Sequence, residues 1–163
     1  MAVSEQPADP STPSELVGGS EILRVEDLHT SFFLPIGELK AVRGVSFTLK
    51  RGQSLGIVGE SGSGKTVLAR SIMGLTLAKH VETSGKAFFN GRDLLTLSRR
   101  EMRTLWGTEI AMIFQDPMTS LNPTMNIGAQ IAEPLQVHRG YSATDAFAEA
   151  VRLLEMSKIP EAA

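Results

Sequence analysis

Apolar and polar residues alternate along the chain from residue 22 onward, and a period of two is typical of strands with one buried face. The alternation predicts two strands, residues 22–33 and 39–49, which pair as a hairpin across Pro35 and Gly37. Shorter apolar runs predict three more strands, of which the first and the last are buried: residues 54–58, 85–90 and 109–114.

Other segments repeat their apolar residues every three or four positions, which is the spacing of one helix face. This spacing predicts helices at residues 65–75, 126–138 and 142–156. Ser98 and Glu101 have the spacing of a capping box, which predicts a short helix over residues 98–106. The apolar stripe of the last helix consists of Ala143, Ala146, Phe147, Ala150, Val151 and Leu154.

The order of these elements is strands first, then strands alternating with helices, and it predicts an α/β domain with an antiparallel β-layer at its start. Residues 1–20 hold three of the eight prolines, together with Ser, Glu and Gly and no aromatic residue. That composition predicts a disordered leader at residues 1–20 and a folded domain at residues 21–163. No apolar run approaches the roughly 18 residues that a membrane span needs.

Composition narrows the class of protein. The formal net charge of −2 excludes a strongly basic protein that binds nucleic acid by charge alone. The chain has no cysteine, which excludes a disulfide scaffold, a thiolate metal site and cysteine catalysis. Its histidines, His29, His80 and His138, lack metal-ligand spacing, so packing or solvated roles are expected for them.

The strongest chemical motif matches the phosphate-binding pattern G-x-x-x-x-G-K-[ST] without a gap. It consists of Gly59, Glu60, Ser61, Gly62, Ser63, Gly64, Lys65 and Thr66. Glycines allow the backbone to curl so that its N–H groups surround phosphate oxygens, and a helix that begins at Lys65 adds its positive end. Lys65 is expected to reach the β- and γ-phosphates, and the Thr66 hydroxyl to bind Mg²⁺. The alternative is a flexible Gly/Ser loop that matches by accident, and the strand before it and the helix after it argue against that.

A nucleotide hydrolase of this class also needs an acidic residue at the end of a strand to hold Mg²⁺. Asp116 follows the apolar run that ends at Phe114, but Gln115 occupies the position where the strand delivers its side chain. Pro117 then turns the chain at once. The chain has no Asn-Lys-x-Asp motif, which argues against a GTPase.

Three motifs together resemble one known family. Residues 114–123, FQDPMTSLNP, look like the glutamine loop of ABC transporter ATPases. With the loop at 59–66 and the run AVRGVSF at 41–47, they resemble the oligopeptide and dipeptide importer subfamily. The resemblance extends over about residues 22–158. It implies a P-loop NTPase fold of the ABC type, in which the last two predicted helices begin a helical subdomain.

The resemblance also implies roles for single residues. Phe32, or Phe33 as the alternative, takes the aromatic position that stacks on adenine, while a packed core aromatic is the other interpretation of Phe32. Gln115 contacts Mg²⁺ and the attacking water, with an ordinary polar residue at a strand end as the alternative. The implied cofactors are therefore ATP and Mg²⁺, with Lys65 and Gln115 as catalytic residues and with Thr66 and Gln115 as ligands of the metal.

On this resemblance the protein is an ATP-binding subunit of an importer, which couples ATP binding and hydrolysis to the transport of peptides or other small solutes across the cytoplasmic membrane. The implied partners are transmembrane permease subunits and a second ATPase subunit, with no nucleic acid. The implied location is peripheral, at the cytoplasmic face of the cell's inner membrane. Two alternatives stay open: a nucleotide-binding fragment without turnover, and a non-transport ATPase of the same superfamily.

Several motifs of the family are not found in the sequence. Nothing after Met156 resembles the LSGGQ signature, the Walker B strand or the switch histidine. We therefore expect an N-terminal part of a longer ATPase, truncated before the signature and Walker B and hydrolytically incompetent alone. Without a Walker B neighbour, Leu55, Ile57 and Val58 are expected to face water along an unpaired edge. The isolated chain is then expected to be marginally stable and to associate.

Overall fold

A computed structural model gives the fold of the 163-residue chain and describes residues 2–5, 20–76, 79–115 and 121–160. The chain divides into two compact units, Met1–Met102 and Arg103–Ala163.

The first unit is built on a four-stranded antiparallel sheet with the strand order β3-β2-β5-β6. The long strands β2 (Glu21–Leu34) and β3 (Gly37–Lys50) form the predicted hairpin, with Gly37 in the turn between them. The alternation of buried positions in β2 shifts between Val25 and Leu28, where the pairing with β3 changes register and Asp27 has a left-handed φ of +45°. Strand β5 (Val81–Phe89) pairs with the other edge of β2, and β6 (Arg92–Asp93) pairs with β5.

Helix α1 (Lys65–Ile72) packs on β2 and β3 and closes the core of the first unit. It begins at the predicted residue and ends three residues earlier than predicted. Leu28 of β2 and Leu68 of α1 are both completely buried. The buried apolar residues of this unit are Val25, Leu28, Val42, Leu68, Ile72, Met73, Ala87, Phe89, Leu94 and Met102.

Strand β4 (Leu55–Val58) leads into the phosphate-binding motif, and β1 (Ala2–Glu5) pairs with it antiparallel along its whole length. The expectation of a disordered leader is therefore wrong at Ala2–Glu5, because the backbone groups of an apolar strand edge are satisfied by a second strand. Residues 6–19 lie outside the described residues, and the domain boundary at residue 20 stays a prediction.

The prediction of a fully buried strand at residues 54–58 is also wrong, since Val58 is 55% exposed. The expected exposure is found at Val58, while Leu55 and Ile57 are half-buried. One edge of β4 pairs with β1, and its other edge has no partner strand among the described residues. Within the described ranges, β1 is the only strand that pairs with β4.

A short 3₁₀ helix (Leu94–Thr96) and α2 (Arg99–Leu105) follow β6. The capping box predicted for α2 is confirmed: the Ser98 backbone N–H donates to Glu101 Oε2 at 2.8 Å, and the Glu101 N–H donates to Ser98 Oγ at 3.3 Å. The bonds from Ser98 lower the pKa of the Glu101 carboxyl, because they favour its charged form.

The second unit contains a pair of packed helices, α3 (Ile127–Arg139) and α4 (Ala143–Met156), which confirms the two helices predicted near the end of the chain. Ser142 caps α4 by accepting a bond from the Asp145 backbone N–H. The residues of the two helices that are buried are all small: Ala132, Ala146 and Ala150. Phe147, predicted to lie on the packed stripe, is 54% exposed.

The prediction of a strand at residues 109–114 is wrong. Trp106 and Ile110 form an isolated bridge, and residues 111–114 have no regular structure. Ile113 is 98% exposed. An apolar run forms a strand only beside a second strand that pairs with its backbone, and no described strand pairs with this run.

Candidate nucleotide-binding site

The phosphate-binding motif lies in the loop between β4 and α1, as the sequence predicts. The strand ends at Val58 and the helix begins at Lys65, so residues 59–64 form a short connection between the two elements. A turn bond from the Ser63 N–H to the Glu60 carbonyl, 3.2 Å long, curls this connection. The strand, loop and helix that the motif requires are therefore all present in one segment.

Gly64 is the residue at which the loop needs glycine most. Its φ of +93° lies in the left-handed region, which a residue with a Cβ adopts at a cost. A Cβ added to Gly64 would also lie 2.2 Å from the carbonyl oxygen of Ala41 on β3. The start of α1 consequently lies against the backbone of β3, and only glycine fits between them.

Backbone N–H groups without acceptors collect at the start of α1. The Leu68 N–H makes the first bond of the helix, to the Gly64 carbonyl at 2.8 Å. The preceding amides of Lys65, Thr66 and Val67 have no acceptor in the described part of the chain. These donors and the positive end of the helix dipole suit the binding of an anion.

The Lys65 side chain closes the loop. Its ammonium donates to the carbonyl oxygens of Gly59 and Glu60, both at 2.7 Å, and to Ser63 Oγ at 3.3 Å. The only formal positive charge of the motif is thereby held against the curled backbone of residues 59–63. The donor set, with one ammonium and several amides, has the chemistry that phosphate oxygens need.

A cavity of about 510 Å³ adjoins the loop. Gly62 and Ser63 of the loop line one side, and residues 39–46 of β3 line the other. This volume is within the range of small-molecule sites. Most of the β3 wall consists of residues 41–46, which belong to the run AVRGVSF. The phosphate-binding motif alone does not predict this wall.

The two aromatic candidates lie on opposite faces of β2, because successive side chains of a strand alternate. Phe32 shares its face with Thr30, whose hydroxyl bonds Ser71 of α1, and it is half-buried. Phe32 also pairs with Leu39, which lines the 510 Å³ cavity. Phe33 is 46% exposed and lines a different cavity, with Asp27 and His29. The face of β2 toward α1 therefore carries Phe32.

The two candidates for binding Mg²⁺, Thr66 and Gln115, lie in different units, and so do the two catalytic candidates, Lys65 and Gln115. Thr66 is exposed, and its hydroxyl makes no hydrogen bond to another described residue, so it is available as an oxygen ligand. Gln115 is exposed at a bend in the second unit, and residues 116–120 of the predicted glutamine loop lie outside the described residues. No group of three His, Asp or Glu side chains in the described ranges has the geometry of a metal site. The roles of Thr66 and Gln115 stay predictions.

The sequence profile described as ABC transporter matches residues 42–162. The chain belongs to the ABC transporter family. This confirms the family that the glutamine loop and the phosphate-binding loop indicate. The fold agrees, because a dimeric ATP-binding cassette solved in a post-hydrolysis state with ADP and Pi superposes with a TM-score of 0.70 at 20% identity, over 86% of this chain and 59% of that one.

Curated relatives are peptide transport proteins. The chain is 48% identical to the oligopeptide transport ATP-binding protein OppD of Salmonella typhimurium, over 99% of this chain and 47% of that protein. It is 51% identical to the dipeptide transport ATP-binding protein DppD of Lactococcus lactis, over 87% of this chain and 41% of that protein. The chain thus spans less than half the length of these relatives.

The α/β fold class with an antiparallel β-layer is confirmed by the structure and by its solved neighbours. In the part of the chain that the structure describes, none of the helices has the length and hydropathy of a membrane span.

Proposed function

We propose that this chain is the nucleotide-binding part of an ATPase subunit of an importer, which couples ATP binding and hydrolysis to the uptake of di- or oligopeptides. The observation that carries the proposal is the arrangement around Lys65, where an ammonium and the first amides of α1 converge on one curled loop. The names of the peptide transport relatives support peptides as the cargo class.

In this proposal the loop amides and Lys65 bind the β- and γ-phosphates of ATP. Phe32 stacks on the adenine, and its position on the face of β2 toward α1 supports it over Phe33. The Thr66 hydroxyl would supply an oxygen ligand to Mg²⁺, and the bound ion would neutralise charge on the phosphates. The role of Gln115 toward Mg²⁺ and the attacking water stays the prediction made from the sequence.

The proposed partners are a second ATPase subunit and the transmembrane permease subunits of the importer, at the cytoplasmic face of the inner membrane. A dimeric solved neighbour supports the second subunit. Exposed apolar side chains in the second unit, such as Ile113 and Phe114 beside Gln115, support contact with other chains.

Calorimetric titration of the purified chain with ATP·Mg²⁺ tests this proposal. We expect saturable binding by the wild type, and Lys65→Ala to weaken it at least about 30-fold, because a charged hydrogen-bonding partner of the phosphates is lost. Lys79→Ala removes an exposed lysine outside the motif and serves as the matched control, with unchanged affinity expected. Absence of binding by the wild type, or equal affinity of the Lys65 variant, would contradict the proposal.

A further inference from the structure

Thr30 and Ser71 are the two polar residues that are buried in the described part of the chain, at 0% and 1% exposure. Their hydroxyl oxygens lie 2.8 Å apart, so one hydroxyl donates a hydrogen bond to the other. Two apolar residues of similar shape would fill the same space without needing a partner. The hydroxyl pair also restricts how α1 is placed on β2, because a hydrogen bond depends on distance and angle more strongly than apolar contact does.

The bond joins two elements that carry different parts of the site. Thr30 lies on β2, two residues before Phe32 and on the same face. Ser71 lies on α1, the helix that begins with Lys65. The bond therefore connects the strand of the aromatic candidate with the helix of the phosphate-binding lysine.

A second contact with the sheet lies at the other end of the same helix. Gly64, at the start of α1, lies against the Ala41 carbonyl of β3. Gly64 and Ser71 are seven residues apart, or about 10 Å along the axis of a helix. A hydrogen bond near one end of α1 and a close backbone contact at its other end limit how far the helix can pivot on the sheet.

We propose that Thr30 and Ser71 are positioning residues, which set the place of Phe32 relative to the phosphate-binding loop and so allow one nucleotide to contact both. This inference rests on the proposed function. Its specific consequence is that loss of the bond weakens recognition of the adenine end of the nucleotide and leaves recognition of the phosphates intact.

The experiment compares two ligands, ATP·Mg²⁺ and inorganic triphosphate with Mg²⁺, by calorimetry on the full chain. We expect Thr30→Val to weaken ATP binding about 5-fold or more, and to change triphosphate binding by less than about twofold. Ser71→Ala is expected to give the same pattern, and the double variant to lose little beyond the single ones, since the bond is already absent. Thr30→Ser keeps the hydroxyl and should restore the affinity for ATP.

Thr83→Val is the matched control. Thr83 lies directly opposite Thr30 on β5, so its side chain projects from the same face, but its hydroxyl makes no hydrogen bond within the described ranges. We expect this variant to bind both ligands as the wild type does. Equal losses for ATP and triphosphate, or no loss for either, would show that the pair is merely structural and overturn the inference. A wild type that binds neither ligand would overturn the proposed function as well.

Discussion

The two units of the chain bury their apolar residues to very different extents. In the first unit, a sheet of paired strands and a helix enclose large side chains such as Leu28 and Leu68. In the second unit, Leu105 is buried, but α3 and α4 meet through the small residues Ala132, Ala146 and Ala150, and many large apolar side chains are exposed. These exposed side chains are Ile113, Phe114, Leu121, Met125, Ile127, Val137, Tyr141, Phe147, Met156 and Ile159.

The difference shows that an apolar pattern predicts an element without predicting what the element packs against. Both units have helices with the expected periodicity, and both begin helices with side-chain caps at Ser98 and Ser142. The first unit combines a sheet and a helix around large buried side chains, and the phosphate-binding loop is part of this unit. We therefore expect single substitutions in the first unit to affect stability and nucleotide binding far more than those in the second.

The largest effect is expected for Gly64→Ala. The added Cβ would overlap the Ala41 carbonyl, and the left-handed φ adds strain, so the free energy of unfolding should fall by about 3 kcal/mol or more. Binding of ATP·Mg²⁺ should be lost with the displaced loop. Gly62→Ala is the control, because its φ of +78° is also left-handed but nothing lies within 4 Å of the added Cβ. A loss for Gly62→Ala as large as that for Gly64→Ala in urea unfolding would contradict the close contact with β3.

The next effect is expected for Leu68→Ala, which should lower the free energy of unfolding by about 2–5 kcal/mol without direct loss of a phosphate contact, because it leaves a cavity in a fully buried site. Ile113→Ala in the second unit should change it by less than about 0.5 kcal/mol, since Ile113 is 98% exposed. Denaturant unfolding of the two variants measures the difference directly. Comparable losses would show that the second unit has a core of its own around Ile113.

The smallest effect concerns the capping box of α2. The pKa of the Glu101 carboxyl is lowered in the folded chain, so its contribution to stability is present above the ordinary value of 4.5 and is lost as the pH falls through the folded pKa. Glu101→Gln should therefore destabilise the chain near neutral pH and approach the wild type in acid. Thermal melts of both proteins between pH 7 and about pH 3 check this. A difference that does not change with pH would rule out the charged cap.

Features that depend on neighbours in the sequence are the ones that the sequence predicts correctly. The start of α1 at Lys65, the capping box of α2 and the β2–β3 hairpin all arise from residues a few positions apart or from alternation along two neighbouring segments. The phosphate-binding loop belongs to this group, because its glycines, lysine and helix start form one uninterrupted motif.

Features that depend on distant partners are predicted less well. The apolar run at 109–114 has strand composition, but no second strand pairs with it among the described residues. Val58 is apolar yet more than half exposed, and β4 is paired by Ala2–Glu5, a segment whose composition indicated disorder. The hydrogen bond between Thr30 and Ser71 joins residues 41 positions apart, and no local sequence pattern predicts it.

The central claim is that the amides and ammonium of one loop bind the phosphates of a nucleotide. Titration of the ¹⁵N-labelled chain with ATP·Mg²⁺, followed through its backbone amide signals, tests this claim most directly. The account predicts that the signals of Gly62, Gly64, Lys65 and Thr66 shift most and saturate together, while those of α4 stay in place. Shifts that leave these four amides unmoved, or that appear only in the second unit, would contradict it.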